Sequence, residues 1–236
     1  MFTKATFSFL NELADNNNRA WFEANKPRYE ALVREPALGF IEAMEPALKC
    51  FAQSFRAEPR KVGGSLMRVF RDTRFSRDKT PYKTNIGIQF RHALGKDVHA
   101  PGFYVHIATD ECFFAVGCWH PESDALGKIR DLVAQKPEKW LAARNDKKFT
   151  AQWELAGDSL IRPPRGYAAE HPAIADIKRK DFIAIAPLSR KEVTGRSLVE
   201  LTEQRFAETV PFMKFLCEAL DVQYRCNAIS KSVRSL

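Results

Sequence analysis

The sequence predicts an α+β fold: a single domain in which an antiparallel sheet of about four to five strands is flanked by N-terminal and C-terminal helices. Three observations lead to this class. Apolar residues recur at helical spacing through the first quarter of the chain, strand-like runs follow between residues 86 and 119, and helical patterns return afterwards. No repeat or linker divides the chain, so we expect one domain over residues 1–222 and a basic tail, which can be flexible, over residues 223–236.

The N-terminal quarter is predicted to be mostly helical. Apolar residues at helical spacing after Thr3, a suitable N-cap, indicate a first helix. The run of asparagines at 16–18 interrupts the pattern and can cap a second helix, in which Trp21 and Phe22 are expected to face the core. The helical pattern resumes over about residues 37–55, with prolines that predict kinks.

The middle of the chain is predicted to form the sheet. Five short runs have strand character, either by alternation or as continuous apolar stretches: residues 66–70, 86–91, 103–108, 112–119 and 182–186. The connection at 109–111 is so short that the strands on either side of it should form a hairpin. Residues 71–84 are polar and aperiodic, which predicts a loop.

The C-terminal half is predicted to return to helices. Residues 121–134 and 137–144 have helical patterns, whereas 153–167 appear irregular. Ser197 with Glu200 matches a capping box, which predicts a long helix through residue 220 that bends at its proline.

Bulk composition favours a soluble cytoplasmic protein. Hydrophobic residues make up 45% and charged residues 28%. No stretch approaches the roughly 20 apolar residues of a membrane helix, and the N-terminus lacks the pattern of a signal peptide. The five cysteines are odd in number and contain no C-x-x-C, which argues against a disulfide framework or a zinc ribbon. We predict no cofactor and no membrane partner, and the oligomeric state stays open.

The positive charge is concentrated in one place. The formal net charge is +8, and residues 60–83 contain eight basic and two acidic residues, a net of +6. A local concentration of charge indicates a site for an anion rather than general solubility. Neither phosphate-binding glycine motif, G-x-x-x-x-G-K-[ST] or G-x-G-x-x-G, is present.

The basic stretch contains a long mixed pattern, R-x-x-R-D-x-R-F-x-x-x-K-x-P-Y. It falls on Arg68, Arg71, Asp72, Arg74, Phe75, Lys79, Pro81 and Tyr82. This pattern resembles the signature of a bacterial family called domain of unknown function 2461. The run Asn18-x-x-Trp21-Phe22-x-x-Asn25, residues 104–106 and residues 162–167 are also similar to that family. The resemblance covers most of the chain up to about residue 220. The resemblance implies a shared site and no particular activity.

The chemistry of these residues predicts anion binding. Arginine offers planar donors that hold carboxylate or phosphate in bidentate fashion. The predicted ligand-binding residues are Arg68, Arg71, Asp72, Arg74, Lys79, Tyr82 and Lys83. A structural interpretation stays open, in which Arg71 with Asp72 and Arg77 with Asp78 are ion pairs that pin the loop. Phe75 and Pro81 are expected to anchor the loop, and Tyr82 could either anchor it or donate to a ligand.

Three functions compete. A small phosphate- or carboxylate-bearing ligand, held by Arg71, Arg74 and Lys79, is preferred, and whether a reaction follows is open because no catalytic residue is assigned. The alternatives are a nucleic-acid-binding module and an interaction protein that docks an acidic partner. His106 could be a general base or a hydrogen-bonded sheet residue. The basic patch at 162–165 could close over the site.

The histidines and cysteines in the middle of the chain do not form a metal-binding pattern. His99 and His120, with His106, Cys112 and Cys118, match no metal-ligand spacing, so no metal is predicted.

Overall fold

Helices precede and follow a central antiparallel sheet in the chain. The structure, a computed structural model, describes residues 1–94 and 100–226. Within these two ranges, no helix combines the length and the apolar character needed to cross a bilayer.

The N-terminal helices agree with the apolar spacing of the sequence. They are α1 (Lys4–Asp15), α2 (Arg19–Ala24), α3 (Lys26–Tyr29) and α4 (Glu35–Phe51), with a π-helical turn at Glu30–Arg34 that joins α3 to α4. Asn18 caps α2 as predicted, because its side-chain oxygen accepts the N–H of Trp21 at 3.0 Å. Pro46 lies inside α4 without ending it. The predicted helix to residue 55 is too long by four residues, since Phe55 belongs to the sheet.

In the described residues, six strands form one antiparallel sheet, which confirms the predicted fold class with more strands than the four to five expected. They are β1 (Phe55–Arg56), β2 (Ile86–His92), β3 (Gly102–Ile107), β4 (Cys112–Cys118), β5 (Glu154–Ala156) and β6 (Phe182–Pro187). Their spatial order is β1-β2-β3-β4-β6-β5. The predicted hairpin is β3–β4, with Ile107 opposite Cys112. Strands β1 and β5 were not predicted, because two or three residues cannot establish a period.

The two faces of the sheet differ. On one face, Phe206 of the C-terminal half packs against Phe90, Phe103 and Phe114 from three adjacent strands. Phe40 of α4 also contacts Phe90 there, so this face forms the core between helices and sheet. The opposite side, which we call the open face, consists of partly or fully exposed side chains: Gln89, Arg91, Tyr104, His106, Phe113, Ile183 and Ile185.

Residues 65–71 form an irregular extension of the sheet at the outer edge of β2. The N–H of Met67 donates to the carbonyl of Gly87, and the N–H of Arg71 donates to that of Pro81, both at 2.9 Å. Isolated bridges join Leu66 to Ile88 and Phe70 to Tyr82. Three residues lie between the bridges on one side and five on the other, so two extra residues near 83–85 break the ladder. The strand predicted at 66–70 is therefore extended but not continuously paired.

The remaining helices are α5 (Ser123–Gln135), α6 (Pro137–Arg144), α7 (Lys147–Thr150), α8 (Ile174–Ile177), α9 (Arg190–Val193), α10 (Leu198–Glu208) and α11 (Val210–Ala219). Among them, α5 and α6 agree with the predictions, three short helices were not predicted, and the predicted long C-terminal helix is divided in two. The long helix predicted from Ser197 is divided at Thr209, just before the first-turn proline of α11. Ser197 precedes α10 but makes no side-chain cap, since its backbone (φ −98°, ψ 22°) is not extended.

The beginning of the predicted tail is bonded to the domain. The carbonyl of Gln223 accepts hydrogen bonds from Ser54 at 2.5 Å and from the ring of His92 at 2.9 Å. The ring of Tyr224 packs 5.6 Å from that of Phe55. Residues 227–236 of the predicted tail lie outside the described residues.

Candidate functional site

The basic segment, residues 68–83, is fixed to the N-terminal helices at Tyr82. This side chain is 2% exposed, and its ring stacks on Phe22 of α2 with centroids 4.0 Å apart. The side chain of Asn17 accepts the N–H of Tyr82 at 3.0 Å and donates to its carbonyl at 2.9 Å. Tyr82 was predicted as a ligand residue that could also be an anchor; its burial assigns it to the anchor.

Two ion pairs organise the tip of the segment, residues 72–80, but they are not the two pairs considered from the sequence. Arg71 reaches across the tip to Asp78 and Thr80. Asp72 binds Arg74 instead, with 2.7 Å between Oδ2 and the guanidinium nitrogen. The pair of Asp72 with Arg74 therefore lies within the longer span that Arg71 and Asp78 close.

Both carboxylates are held in the charged form. The hydrogen bond from the Arg74 side chain lowers the pKa of Asp72 to about 2, with help from the Arg74 N–H. The hydrogen bond from Arg71 lowers the pKa of Asp78 to about 2, and Thr80 contributes. Both carboxylates are therefore ionised at neutral pH.

A third contact, made by Lys79, closes the tip. The ammonium of Lys79 donates to the carbonyl of Thr73 at 2.8 Å.

Phe75 was expected to anchor the loop, and this is wrong: its side chain is 95% exposed. The guanidinium of Arg74 lies over its ring at 5.8 Å, so Phe75 is part of the charged surface. The ring of Phe70 is also exposed, at 51%.

Three cations of the segment have no bonded partner in the part of the chain that the structure describes. Among the described residues, the side chains of Arg68, Arg77 and Lys83 form no ion pair or hydrogen bond. Partial burial, and then the nearby charge of Arg68, lowers the pKa of Lys83. Arg68 also acts on the pKa of Asp72, which places it near the Asp72–Arg74 pair.

The predicted site residues therefore divide into two groups. Arg68 and Lys83 have no bonded partner among the described residues, whereas the others are paired or buried. Arg71, Asp72, Arg74 and Lys79 are engaged within the tip, and Tyr82 is buried.

The two cavities described in the molecule do not bring the predicted cations together. One, of about 10 Å³, is lined by Lys83 and mainly apolar residues, and the other, of about 160 Å³, lies elsewhere on the β1 edge. The exposed side chains of Arg68, Arg74 and Arg77 line neither of these two cavities.

The second basic patch does not close over the segment. Arg162 and Arg165 are exposed and follow β5, which forms the edge of the sheet opposite to β1. Three strands lie between β2 and β5. The prediction that this patch could join the site is therefore wrong.

His106 lies on the open face in a small polar cluster. Its Nδ1 is 3.1 Å from the hydroxyl of Tyr104 and 3.5 Å from the amide nitrogen of Asn85, and its ring stacks on Phe113 at 4.5 Å. Burial lowers the pKa of His106, although Glu111 and Asp110 oppose the shift, and burial raises the pKa of Tyr104 to about 12. Of the two alternatives for His106, a general base or a hydrogen-bonded sheet residue, this geometry fits the second.

Metal binding gains no support from the geometry. In the described ranges, no group of three or more His, Cys, Asp or Glu side chains converges as metal ligands would. His99, considered from the sequence, lies outside the described residues.

Asn17 is a site residue that the sequence analysis missed. It was treated only as part of a helix-breaking asparagine run, whereas its amide pairs with the backbone of Tyr82, 65 positions later. A side-chain amide can mimic one step of a β-ladder in this way, because it carries both a donor and an acceptor. One asparagine is enough to cap α2, so the run of three was a sequence signal that another of them has a different partner.

Fold and site together define a two-layer α+β protein with an exposed basic segment at the edge of its sheet. The chain belongs to the family described as conserved hypothetical protein (DUF2461), whose model matches residues 5–215. The resemblance noted in the sequence is thereby confirmed. Neither the curated proteins nor the solved structures contain a match.

Proposed function

We propose that the basic segment binds single-stranded nucleic acid. The observation that carries this proposal is the exposed Phe75 beneath the Arg74 guanidinium, within a segment of six basic and two acidic residues. Single-strand binding combines cations that follow the phosphates with aromatic rings on which bases stack. Phe75 and Phe70 both lie outside the core, because their side chains are exposed.

The occupied cations also favour this function over a small ligand. Arg71, Arg74 and Lys79, expected to clamp such a ligand, already have acceptors in Asp78, Asp72 and Thr73. A small anion at the tip would compete with these acceptors for the same cationic groups. A polymer can instead use Arg68, Arg77 and Lys83 at separate phosphates. The proposal keeps the cytoplasmic location that the sequence favours.

The experiment is fluorescence anisotropy with a labelled 12-nucleotide oligodeoxythymidine, titrated at several salt concentrations. Three phosphate contacts predict a log–log salt slope of about −2, at roughly −0.7 per contact on single strands. Arg77→Gln should make the slope shallower by about 0.7. Phe75→Ala should weaken binding by about 5- to 150-fold, the equivalent of 1–3 kcal/mol of stacking, and leave the slope unchanged.

The matched control is the double variant Arg162→Gln/Arg165→Gln, which removes two exposed arginines at the opposite edge of the sheet. It should bind as the wild type does. Equal weakening in this control, or no measurable binding at low salt, would refute the proposal. Binding to polyglutamate with the same affinity, insensitive to Phe75→Ala, would replace it with the docking of an acidic protein.

A further inference from the structure

A second basic site lies outside the basic segment, in the cavity of about 160 Å³ at the β1 edge. We call it the edge cavity; its lining includes Arg56, Glu58, Gly63, Gly64, Gln89 and Arg91. A water molecule occupies about 30 Å³ of liquid, so the cavity holds about five water volumes. It is smaller than the roughly 300–1,000 Å³ of pockets for larger ligands. Its size suits a small oxyanion.

Two arginines face each other in the edge cavity. Arg56 of β1 and Arg91 of β2 are direct partners in the antiparallel register. Like charges at directly opposed positions destabilise a sheet unless something neutralises them. Glu58 is the carboxylate among the lining residues, and it lies 3.9 Å from Arg56 and equally far from Arg60. That distance is too long for a hydrogen bond, so the positive charge is only partly compensated.

The wall of the edge cavity is a preformed turn, residues 58–65. Ser65 closes it twice, since its Oγ accepts the N–H of Glu58 at 2.9 Å and its N–H donates to the carbonyl of Glu58 at 2.8 Å. Gly63 has a φ of +71°, and a Cβ on Gly64 would approach the Glu58 carbonyl oxygen to 2.4 Å. Within the described residues, the N–H groups of Gly63 and Gly64 donate no hydrogen bond. Successive free N–H groups in a turn are suitable donors to an anion.

Gln89 orients one of the two arginines. Its Oε1 accepts a hydrogen bond from Nε of Arg91 at 3.1 Å. Because this contact uses Nε alone, both terminal nitrogens of the guanidinium remain for a ligand. Two parallel N–H donors are the arrangement that binds phosphate or carboxylate in bidentate fashion.

We propose that the edge cavity is a binding site for a phosphate group, held by Arg56 and Arg91 from the sheet and by the Gly63-Gly64 turn. A tetrahedral oxyanion has enough acceptors to meet both guanidinium groups and the turn at once. The site is separate from the basic segment, so it does not depend on nucleic-acid binding there.

The test is calorimetric titration with inorganic phosphate at constant ionic strength. Wild type should show saturable one-site binding, and Arg91→Gln and Arg56→Gln should each weaken it at least tenfold. Gln89→Ala, which removes a positioning residue, should weaken it less. The control Arg77→Gln, in the basic segment, should bind phosphate within twofold of wild type, so the two proposals can fail separately.

Thermal melting without phosphate gives an independent readout. Arg91→Gln should melt at or above the temperature of wild type, because the substitution relieves repulsion in the empty cavity. The absence of saturable binding in wild type, or an equal loss of affinity in Arg77→Gln, would overturn the proposal. Competition by a 12-nucleotide oligodeoxythymidine carrying a 5′-phosphate would identify strand ends as the source. If neither that strand nor the unphosphorylated one competes with phosphate, the ligand is a free phosphate or a small phosphate ester. Either of these two results supports the site.

Discussion

The attachment of the basic segment can be tested at Asn17. Asn17→Ala removes two hydrogen bonds to the backbone of Tyr82, of 2.9 and 3.0 Å, in a partly buried position. At about 0.5–1.5 kcal/mol each, their loss should lower the free energy of unfolding by about 1–3 kcal/mol. For a protein of this size, 1 kcal/mol corresponds to about 2–4 °C, so Tm should fall by about 2–12 °C.

The assay pairs differential scanning fluorimetry with limited trypsin digestion. The tip offers cleavage sites at Arg74, Arg77 and Lys79, and its release from α2 should accelerate cleavage there. The control is Asn16→Ala, which removes one exposed hydrogen bond to the carbonyl of Glu12 within its own helix end. It should leave the digestion of the tip unchanged. A Tm for Asn17→Ala within 1 °C of wild type, together with unchanged digestion, would show that the amide does not hold the segment.

Two more predictions concern titratable groups. Burial places the pKa of His106 below its ordinary value near 6.5, so protonation favours the unfolded chain and stability should fall as pH drops from 7 towards 5. Urea denaturation at the two pH values should show a smaller loss for His106→Gln, and an equal loss would contradict the reasoning. Burial also raises the pKa values of the Cys118 and Cys217 thiols, the latter to about 12, whereas Cys50 is exposed. A thiol reagent at pH 8 should therefore modify Cys50 rapidly and spare the other two until the protein unfolds.

The sequence predicted those parts of the fold whose period is visible over several residues. Strands β2, β3, β4 and β6 alternate or are continuously apolar, and all four were expected. The edge strands were not, because they are defined only by their neighbours: Phe55 and Arg56 become a strand through pairing with His92 and Arg91. Tertiary contacts of this kind leave no local pattern.

The site was predicted in composition but not in arrangement. The sequence located the excess charge, yet it could not show that Asp78 pairs with Arg71 and Asp72 with Arg74, since any of the neighbouring arginines could reach either carboxylate. The exposure of Phe75 was misjudged for a related reason. An isolated phenylalanine in a polar loop is usually an anchor, and only the packing of Tyr82 on Phe22 shows that the loop already has one.

The sequence also predicted a capping box at Ser197 that does not form. Ser197 and Glu200 have the spacing of a capping box but do not form one, whereas at α9 the same spacing does, since Ser189 Oγ accepts the N–H of Glu192 at 3.2 Å. The motif therefore occurs twice in the sequence, and only the backbone conformation before each helix distinguishes the two.

The short outer strands protect the sheet against aggregation. An unpaired strand edge is a template for another chain, and long β2 would offer one. β1 covers only the end of that edge, and residues 65–71 cover the next part through irregular pairing that leaves Arg68 exposed. A positively charged and interrupted edge repels a second copy of itself. Shortening of the protein for crystallisation should therefore be confined to the tip at 72–80, because a deletion that reaches residue 65 would uncover the sheet.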